Sequence, residues 1–269
     1  MPLDRREFLH LAAGGVVASA LLSPLGVPAA TQPQFKAIAF DAFPIFDLRP
    51  VLGLAETLFP GKGTDLSRAW GLRQFEYQWL RALSRHYADF WQTTEDGLVF
   101  AAKLLQLELT PAKRAQLMHA YLGLNAWPDV ASALRALKEA GIRLAFLSNM
   151  TTKMLDAGIK NAGLDGVFEH VLSTDQIRAY KPDPRAYQMA IDAFELEREE
   201  ILFAAFAGWD AAGAKWFGYP TFWVNRLNLP AEELGVAPNA TGRDLTDLVS
   251  FVKATLERSH SASLEGSQR

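Results

Sequence analysis

The sequence predicts an α/β protein, a doubly wound, Rossmann-like parallel sheet that carries an inserted helical cap domain. Three observations predict it. Four short apolar runs, each bounded by polar or turn residues, read as strands buried on both faces of a parallel sheet. Helical patterns alternate with the later runs, as in a chain of strand–helix–strand units. A stretch from about 50 to 126 has no strand-like run and separates the first strand from the rest.

The first strand is Ala37-Ile38-Ala39-Phe40, ending at Asp41. In the stretch that follows, helical patterns cover Leu66–Tyr87, Thr94–Leu107 and Pro111–Leu122, and Thr110-Pro111 reads as an N-cap followed by its first helical residue. A further helix from Val130 to Ala140 stops at Gly141, a residue suited to the C′ position. The second strand, Ile142–Leu147, runs into Ser148-Asn149. Asp183-Pro184 opens the next helix as cap and proline-initiated first turn. The third strand is Ile201–Ala205 and the fourth Thr221–Val224. A helical block inserted after the first strand is a natural cap, because ligands bind at the carboxyl ends of the strands in such sheets. The expected organisation is therefore a core of two segments, 31–49 and 127–257, a cap domain at 50–126, and a frayed, polar, flexible tail at 258–269.

Residues 1–30 read as a targeting signal. Asp4-Arg5-Arg6-Glu7-Phe8-Leu9 resembles the twin-arginine export motif, a weak apolar stretch follows from Leu11 to Leu25, and Val27-Pro28-Ala29 supplies small residues for cleavage. The competing reading is a membrane anchor, but Gly14, Gly15, Ser23 and Pro24 break the run. The expectation is an exported or periplasmic chain starting near Ala30, with no stable membrane span once the signal is removed.

Composition narrows the function. Apolar residues make up 49% of the 269, enough for a sizeable core, and the net charge of −3 gives no footprint for nucleic acid. There is no cysteine, which excludes disulfides, thiol nucleophiles and zinc–thiolate sites. The five histidines are scattered without metal-ligand spacing.

Four polar residues stand at strand ends or in strand–helix loops: Asp41, Ser148 (with Asn149), Lys181 and Asp210. Taken singly, each has a bland reading as a cap, a turn residue or a solvated charge. Taken together they converge, because the carboxyl ends of the strands in a doubly wound sheet meet at one crevice.

Their order resembles the haloacid dehalogenase superfamily, and more closely its type II L-2-haloacid dehalogenases. Ala39-Phe40-Asp41 is similar to the nucleophile strand, and Gln74-Phe75-Glu76-Tyr77-Gln78-Trp79-Leu80-Arg81 to a cap helix. Leu147-Ser148-Asn149 resembles the serine loop, Tyr180-Lys181-Pro182-Asp183 with Arg185 and Tyr187 the lysine loop, and Trp209-Asp210-Ala211 with Gly213-Ala214 and Phe217-Gly218 the last acidic loop. The resemblance spans about 35–245.

What the resemblance implies is a hydrolase that needs no metal or cofactor. Asp41 attacks the halogen-bearing carbon and water then hydrolyses the ester. Lys181 keeps Asp41 ionised, Ser148 positions the substrate carboxylate, Asp210 holds Lys181, and Tyr187 stands near that lysine. Asn149 and Phe90 match positions lining the halide pocket, with Phe43 and Trp209 as apolar walls; for the aromatics, plain core packing is an equally good reading. The implied partners are a small 2-haloacid and water, with a homodimer as the assembly.

The superfamily's phosphatases are a poorer match. They place a second aspartate two residues after the nucleophile, where this chain has Phe43, and a further carboxylate in the last loop, where Asp210 stands alone. Four positions depart from the dehalogenases themselves. The Gly-Thr after the nucleophile is missing from Asp41-Ala42-Phe43-Pro44-Ile45, which is one residue shorter. Gly71 stands in place of the cap arginine, and Ala205 and Ala207 in place of a serine and an asparagine near the hydrolytic water. Arg73 lies about 200° around the helix from position 71, which leaves Arg49 as the candidate replacement. Two further readings stay open beside the dehalogenase: a non-catalytic periplasmic binding protein that keeps the pocket, and a metal-free hydrolase of another substrate.

Overall fold

The computed structural model describes residues 35–266, with side chains described through residue 258. The export-signal expectation at 1–30 lies outside the described residues.

Six strands form one parallel sheet in the order β5-β4-β1-β6-β7-β8: β1 (Ala37–Phe40), β4 (Arg143–Ser148), β5 (His170–Ser173), β6 (Ile201–Ala205), β7 (Thr221–Val224) and β8 (Ala240–Gly242). β1 sits in the interior, bonded to β4 on one side and β6 on the other, so all four of its residues are fully buried. Alternation along each strand sends its side chains to opposite faces. Ala37, Ala39, Ala145, Leu147 and Phe203 pack with Tyr187, Ala190 and Phe194 of α7 (Pro184–Phe194) and Ala211 and Ala214 of α8 (Gly208–Phe217). Ile38, Phe40, Leu144, Phe146 and Leu202 face the other way, toward α5 (Val130–Glu139), α6 (Thr152–Asn161) and α9 (Leu245–Gly266). Burial on both faces is why these strands read as continuous apolar runs.

The chain leaves the sheet after β1 through a two-residue strand, β2 (Phe46–Asp47), and returns through β3 (Asn125–Ala126), its antiparallel partner. Between them lie α1 (Arg49–Leu58), α2 (Gly63–Leu83), α3 (Phe90–Leu104) and α4 (Pro111–Ala120). Local signals explain most ends. Thr110 accepts from the Lys113 N–H ahead of Pro111, Asp89 accepts from the Gln92 N–H, and Asp183 accepts from the Arg185 N–H. Gly141 follows α5 at φ +78°, the left-handed conformation a helix C′ residue favours.

The structure departs from the sequence reading at several points. Helix α1 was not expected; it begins at Arg49, inside the segment assigned to the core, with Pro50 in its first turn where the missing N–H costs nothing. β3 falls at Asn125–Ala126, inside a stretch read as strand-free, because two residues carry no periodicity. The edge strand β8 and the short, half-buried β5 were missed for lack of a clean apolar run. Helix α3 starts at Phe90, four residues early, because Asp89 is the cap. Finally, α9 continues to Gly266, past the Ser259 at which fraying was expected.

Candidate active site

The site begins where β1 ends. The Asp41 N–H still donates to Ala204 O at 3.0 Å, so the backbone leaves the sheet only beyond this residue. Its carboxylate is thereby fixed at the sheet's carboxyl edge, where Oδ2 accepts the Phe43 N–H at 3.3 Å. Two indole and guanidinium contacts hold the loop that follows. Trp127 Nε1 donates to the carbonyls of Phe43 and Phe46, and Arg226, paired with Asp129, donates to Pro44 O at 2.7 Å.

Lys181 reaches the same point from the loop before α7. Its Nζ donates to Asp41 Oδ1 at 2.8 Å and to Asp210 Oδ2 at 2.7 Å, with the residue only 1% exposed. Asp210, in the first turn of α8, accepts a second bond at Oδ1 from Tyr187 Oη at 2.7 Å. The result is a linear chain: Tyr187, Asp210, Lys181, Asp41. Asn149 anchors the lysine loop, its Oδ1 accepting both the Lys181 N–H at 2.9 Å and the Thr174 hydroxyl at 3.2 Å. Ser148, the last residue of β4, accepts the Met150 N–H at its Oγ.

Burial and charge set the proton affinities. Burial alone would drive the Lys181 ammonium toward neutrality, but the charges of Asp210 and Asp41 outweigh it and raise its pKa. Burial pushes the Asp210 carboxyl up to about 6, with Lys181 opposing and the Asp41 charge adding. Burial, then the Asp210 charge, holds the Tyr187 phenol well above its ordinary value, so it stays a donor.

Asp41, Ser148, Asn149, Lys181 and Asp210 line one cavity of about 180 Å³. Phe43, Phe90 and Trp209 line it too. The Phe43 ring meets Phe206 edge-on at 5.8 Å, and Trp209 meets Trp79 at 5.3 Å. Tyr187 does not line the cavity: it lies fully buried behind Asp210, so its contact is with that carboxylate and not with anything in the cavity. Arg49 does not line it either. Its guanidinium pairs with Asp47 at 2.6 Å and stacks 4.4 Å from the Trp127 ring centre, pointing it away from the crevice. Arg73 pairs with Glu76 and lies over Phe100. Lys181 is thus the one cation among the described lining residues. The cap helix noted for Gly71 does line the cavity as α2, but sequence reading missed the contribution of α1, including Val51, and of Ser67 and Trp70 on α2, as well as the Trp127–Arg226 hold on the loop; no local signal marks any of these.

The donor set does not suit a divalent cation. Among the described residues no three His, Asp or Glu side chains gather to hold one, and each of the two cavity carboxylates commits an oxygen to the ammonium. What remains is a carboxylate held ionised against a buried ammonium inside an apolar-walled cavity, which is the equipment for nucleophilic attack.

A Rossmann-like sheet with such a carboxylate at the end of an interior strand is the architecture of a hydrolase whose nucleophile is an aspartate. The chain belongs to the haloacid dehalogenase-like hydrolase family, whose sequence profile matches residues 24–218. It is 43% identical over 205 residues to an (S)-2-haloacid dehalogenase of Pseudomonas sp. (strain YL), covering 76% of this chain and 88% of that one. Among solved structures it is similar to the L-2-haloacid dehalogenase RSc1362, at 45% identity and a TM-score of 0.81 over 82% of this chain and 99% of that one. It is also similar to an L-2-haloacid dehalogenase from Xanthobacter autotrophicus with chloropropionic acid covalently bound, at 33% identity and a TM-score of 0.76 over 81% and 98% of the two chains.

Proposed function

We propose that this chain hydrolyses the carbon–halogen bond of small 2-haloacids through an ester on Asp41. The observation that carries the reading is the chain of hydrogen bonds from Tyr187 through Asp210 and Lys181 to Asp41, opening on a cavity of about 180 Å³. In the first step an Asp41 oxygen bonds to C2, the carbon–halogen bond breaks with its electron pair leaving as halide, and C2 inverts. In the second, water adds to the Asp41 carboxyl carbon. The bond from that carbon to the ester oxygen breaks, releasing a 2-hydroxyacid and a proton. Lys181 keeps Asp41 charged for the attack and Asp210 keeps Lys181 in place. Ser148 and the N–H groups beside it receive the substrate carboxylate, the α1–α4 helices act as a cap over the crevice, and Phe90 and Asn149 stand at the halide side. A buried ammonium shared by two carboxylates favours this over a non-catalytic binding pocket, which has no use for a nucleophile.

The deciding experiment is halide release over a panel of 2-haloacids, followed by a single turnover in heavy-oxygen water. The label enters Asp41, not the product, if the carboxylate is the nucleophile; label in the product with a light Asp41 peptide would make Asp41 a general base. The reading also includes export directed by Arg5-Arg6. Association into a homodimer is supported by Leu72, Leu80 and Leu83, 63%, 60% and 83% exposed along α2, and is checked by sedimentation.

A further inference from the structure

Two polar atoms on the cap side of the cavity have no hydrogen-bond partner among the described residues. The first belongs to Gln74, which shares one face of α2 with Trp70 and Gly71 and lines the cavity beside them. The residue is 4% exposed and its amide has a fixed orientation. The Thr94 hydroxyl gives its proton to Phe90 O at 2.6 Å, a bond back along its own helix. Its oxygen is then left as an acceptor, and Gln74 Nε2 donates to it at 2.6 Å. Gln74 Oε1 therefore turns away from Thr94 and accepts no hydrogen bond. It stays open, unlike the Ser67 hydroxyl on the same helix, which is sealed inside the wall.

Tyr121, the C-cap residue of α4, supplies the second atom. It lines the cavity, and its ring meets Trp70 edge-on at 5.5 Å. Burial holds its phenol above the ordinary value, so it remains a donor. Its hydroxyl is also open and bonds to no described residue, Gln74 included. One wall thus presents a carbonyl oxygen that can only accept and a hydroxyl that can donate.

Their surroundings select the occupant. The rest of this side is apolar, with Leu48, Val51, Leu52 and Phe75. A polar atom in such a wall is costly once water is displaced from it without replacement. With the substrate carboxylate at Ser148 and C2 at Asp41, what reaches the cap side is the tail of the acid. An alkyl tail takes water from Gln74 Oε1 and returns no hydrogen bond. A hydroxyl on the tail donates to Gln74 Oε1 and accepts from Tyr121. Size allows it: an apolar cavity of about 150 Å³ takes a benzene molecule, and this one is about 180 Å³.

We propose that Gln74 and Tyr121 form a subsite for a hydroxyl group on the substrate's tail, which makes hydroxylated 2-haloacids the preferred class. This rests on the dehalogenase reading. Both are specificity residues: they touch the tail, and the bonds made and broken at C2 are unchanged.

The test measures kcat/KM for 2-chloro-3-hydroxypropanoate and for 2-chlorobutanoate, which sets a methyl group where the hydroxyl stands. The ratio of the two is compared between wild type and variants, so the acids' different intrinsic reactivities cancel. Gln74→Met, close in shape but without the acceptor, lowers the ratio roughly tenfold, the worth of one polar group left unpaired. Tyr121→Phe, which deletes a single oxygen, lowers it about threefold. An unchanged ratio in either soluble variant would overturn the proposal while leaving dehalogenation intact. So would a wild type that releases halide from 2-chloropropanoate but not from the hydroxyl acid. Wild-type protein that releases no halide from any of the three acids would overturn the dehalogenase reading and this proposal together.

Discussion

At the scale of single residues, Asp210 governs the response to pH. Its carboxyl, pushed up to about 6 chiefly by burial, must be ionised to share the Lys181 ammonium with Asp41. Activity therefore falls as pH drops through about 6, and a kcat profile shows this acid limb. Tyr187→Phe removes a donor that favours the charged form of Asp210, so the limb moves to higher pH. An unmoved limb would mean that another group titrates. The stability linkage has the opposite sign. Because the folded pKa lies above the ordinary 3.8, the native state binds more protons between about 4 and 6, and Asp210 contributes less stability as pH rises through that window. The unfolding free energy of wild type minus that of Asp210→Asn should shrink from pH 4 to pH 6 in urea melts.

Two packed elements set how well the site is held. The first turns of α8 run close behind the lysine loop. A Cβ on Gly213 would lie 2.5 Å from Tyr187 Oη and 2.7 Å from Pro182 Cβ. Gly213→Ala therefore pushes both the phenol that orients Asp210 and the proline beside Lys181, at a cost of about 1–3 kcal/mol and with a larger drop in kcat than in substrate affinity. Unchanged kcat and thermal stability would show that the loop yields freely. The second element is the nucleophile loop, clamped by Arg226 through Pro44 O and Asp129. Arg226→Met takes the charged partner from the half-buried Asp129 carboxylate and leaves it the Leu245 N–H, which costs roughly 1–3 kcal/mol in denaturant unfolding and loosens the loop bearing Asp41. A loss below about 0.5 kcal/mol, the range of an exposed ion pair, would refute the clamp.

For the whole molecule, the donor set predicts metal independence. Halide release should be unaffected by chelator; activity lost to chelator and restored by Mg²⁺ would revive a phosphatase-like reading. The export proposal predicts that Arg5→Lys with Arg6→Lys traps unprocessed protein inside the inner membrane. Mature protein outside it at normal yield would refute the signal. No helix among the described residues is long and apolar enough to cross a membrane.

What the sequence determined by itself was the sheet and the groups at its edge. A strand buried on both faces must be apolar throughout, so β1, β4, β6 and β7 are visible as runs, and the residue that ends each run is placed at the crevice by topology alone. Asp41 and Ser148 were legible for that reason, whereas Lys181, beyond the missed β5, and Asp210, inside α8, were legible only from the order of the four residues and the resemblance it carries. Elements too short to show a period, such as β3 and β8, were not. Only the tertiary structure decided which groups stand free and which are engaged. Arg49 is spent on Asp47, and Tyr187 serves Asp210 from behind. Arg226 holds a carbonyl 182 positions away. The physical reason is that hydrogen bonds and burial depend on contacts between distant segments, and no local pattern of residues encodes those contacts.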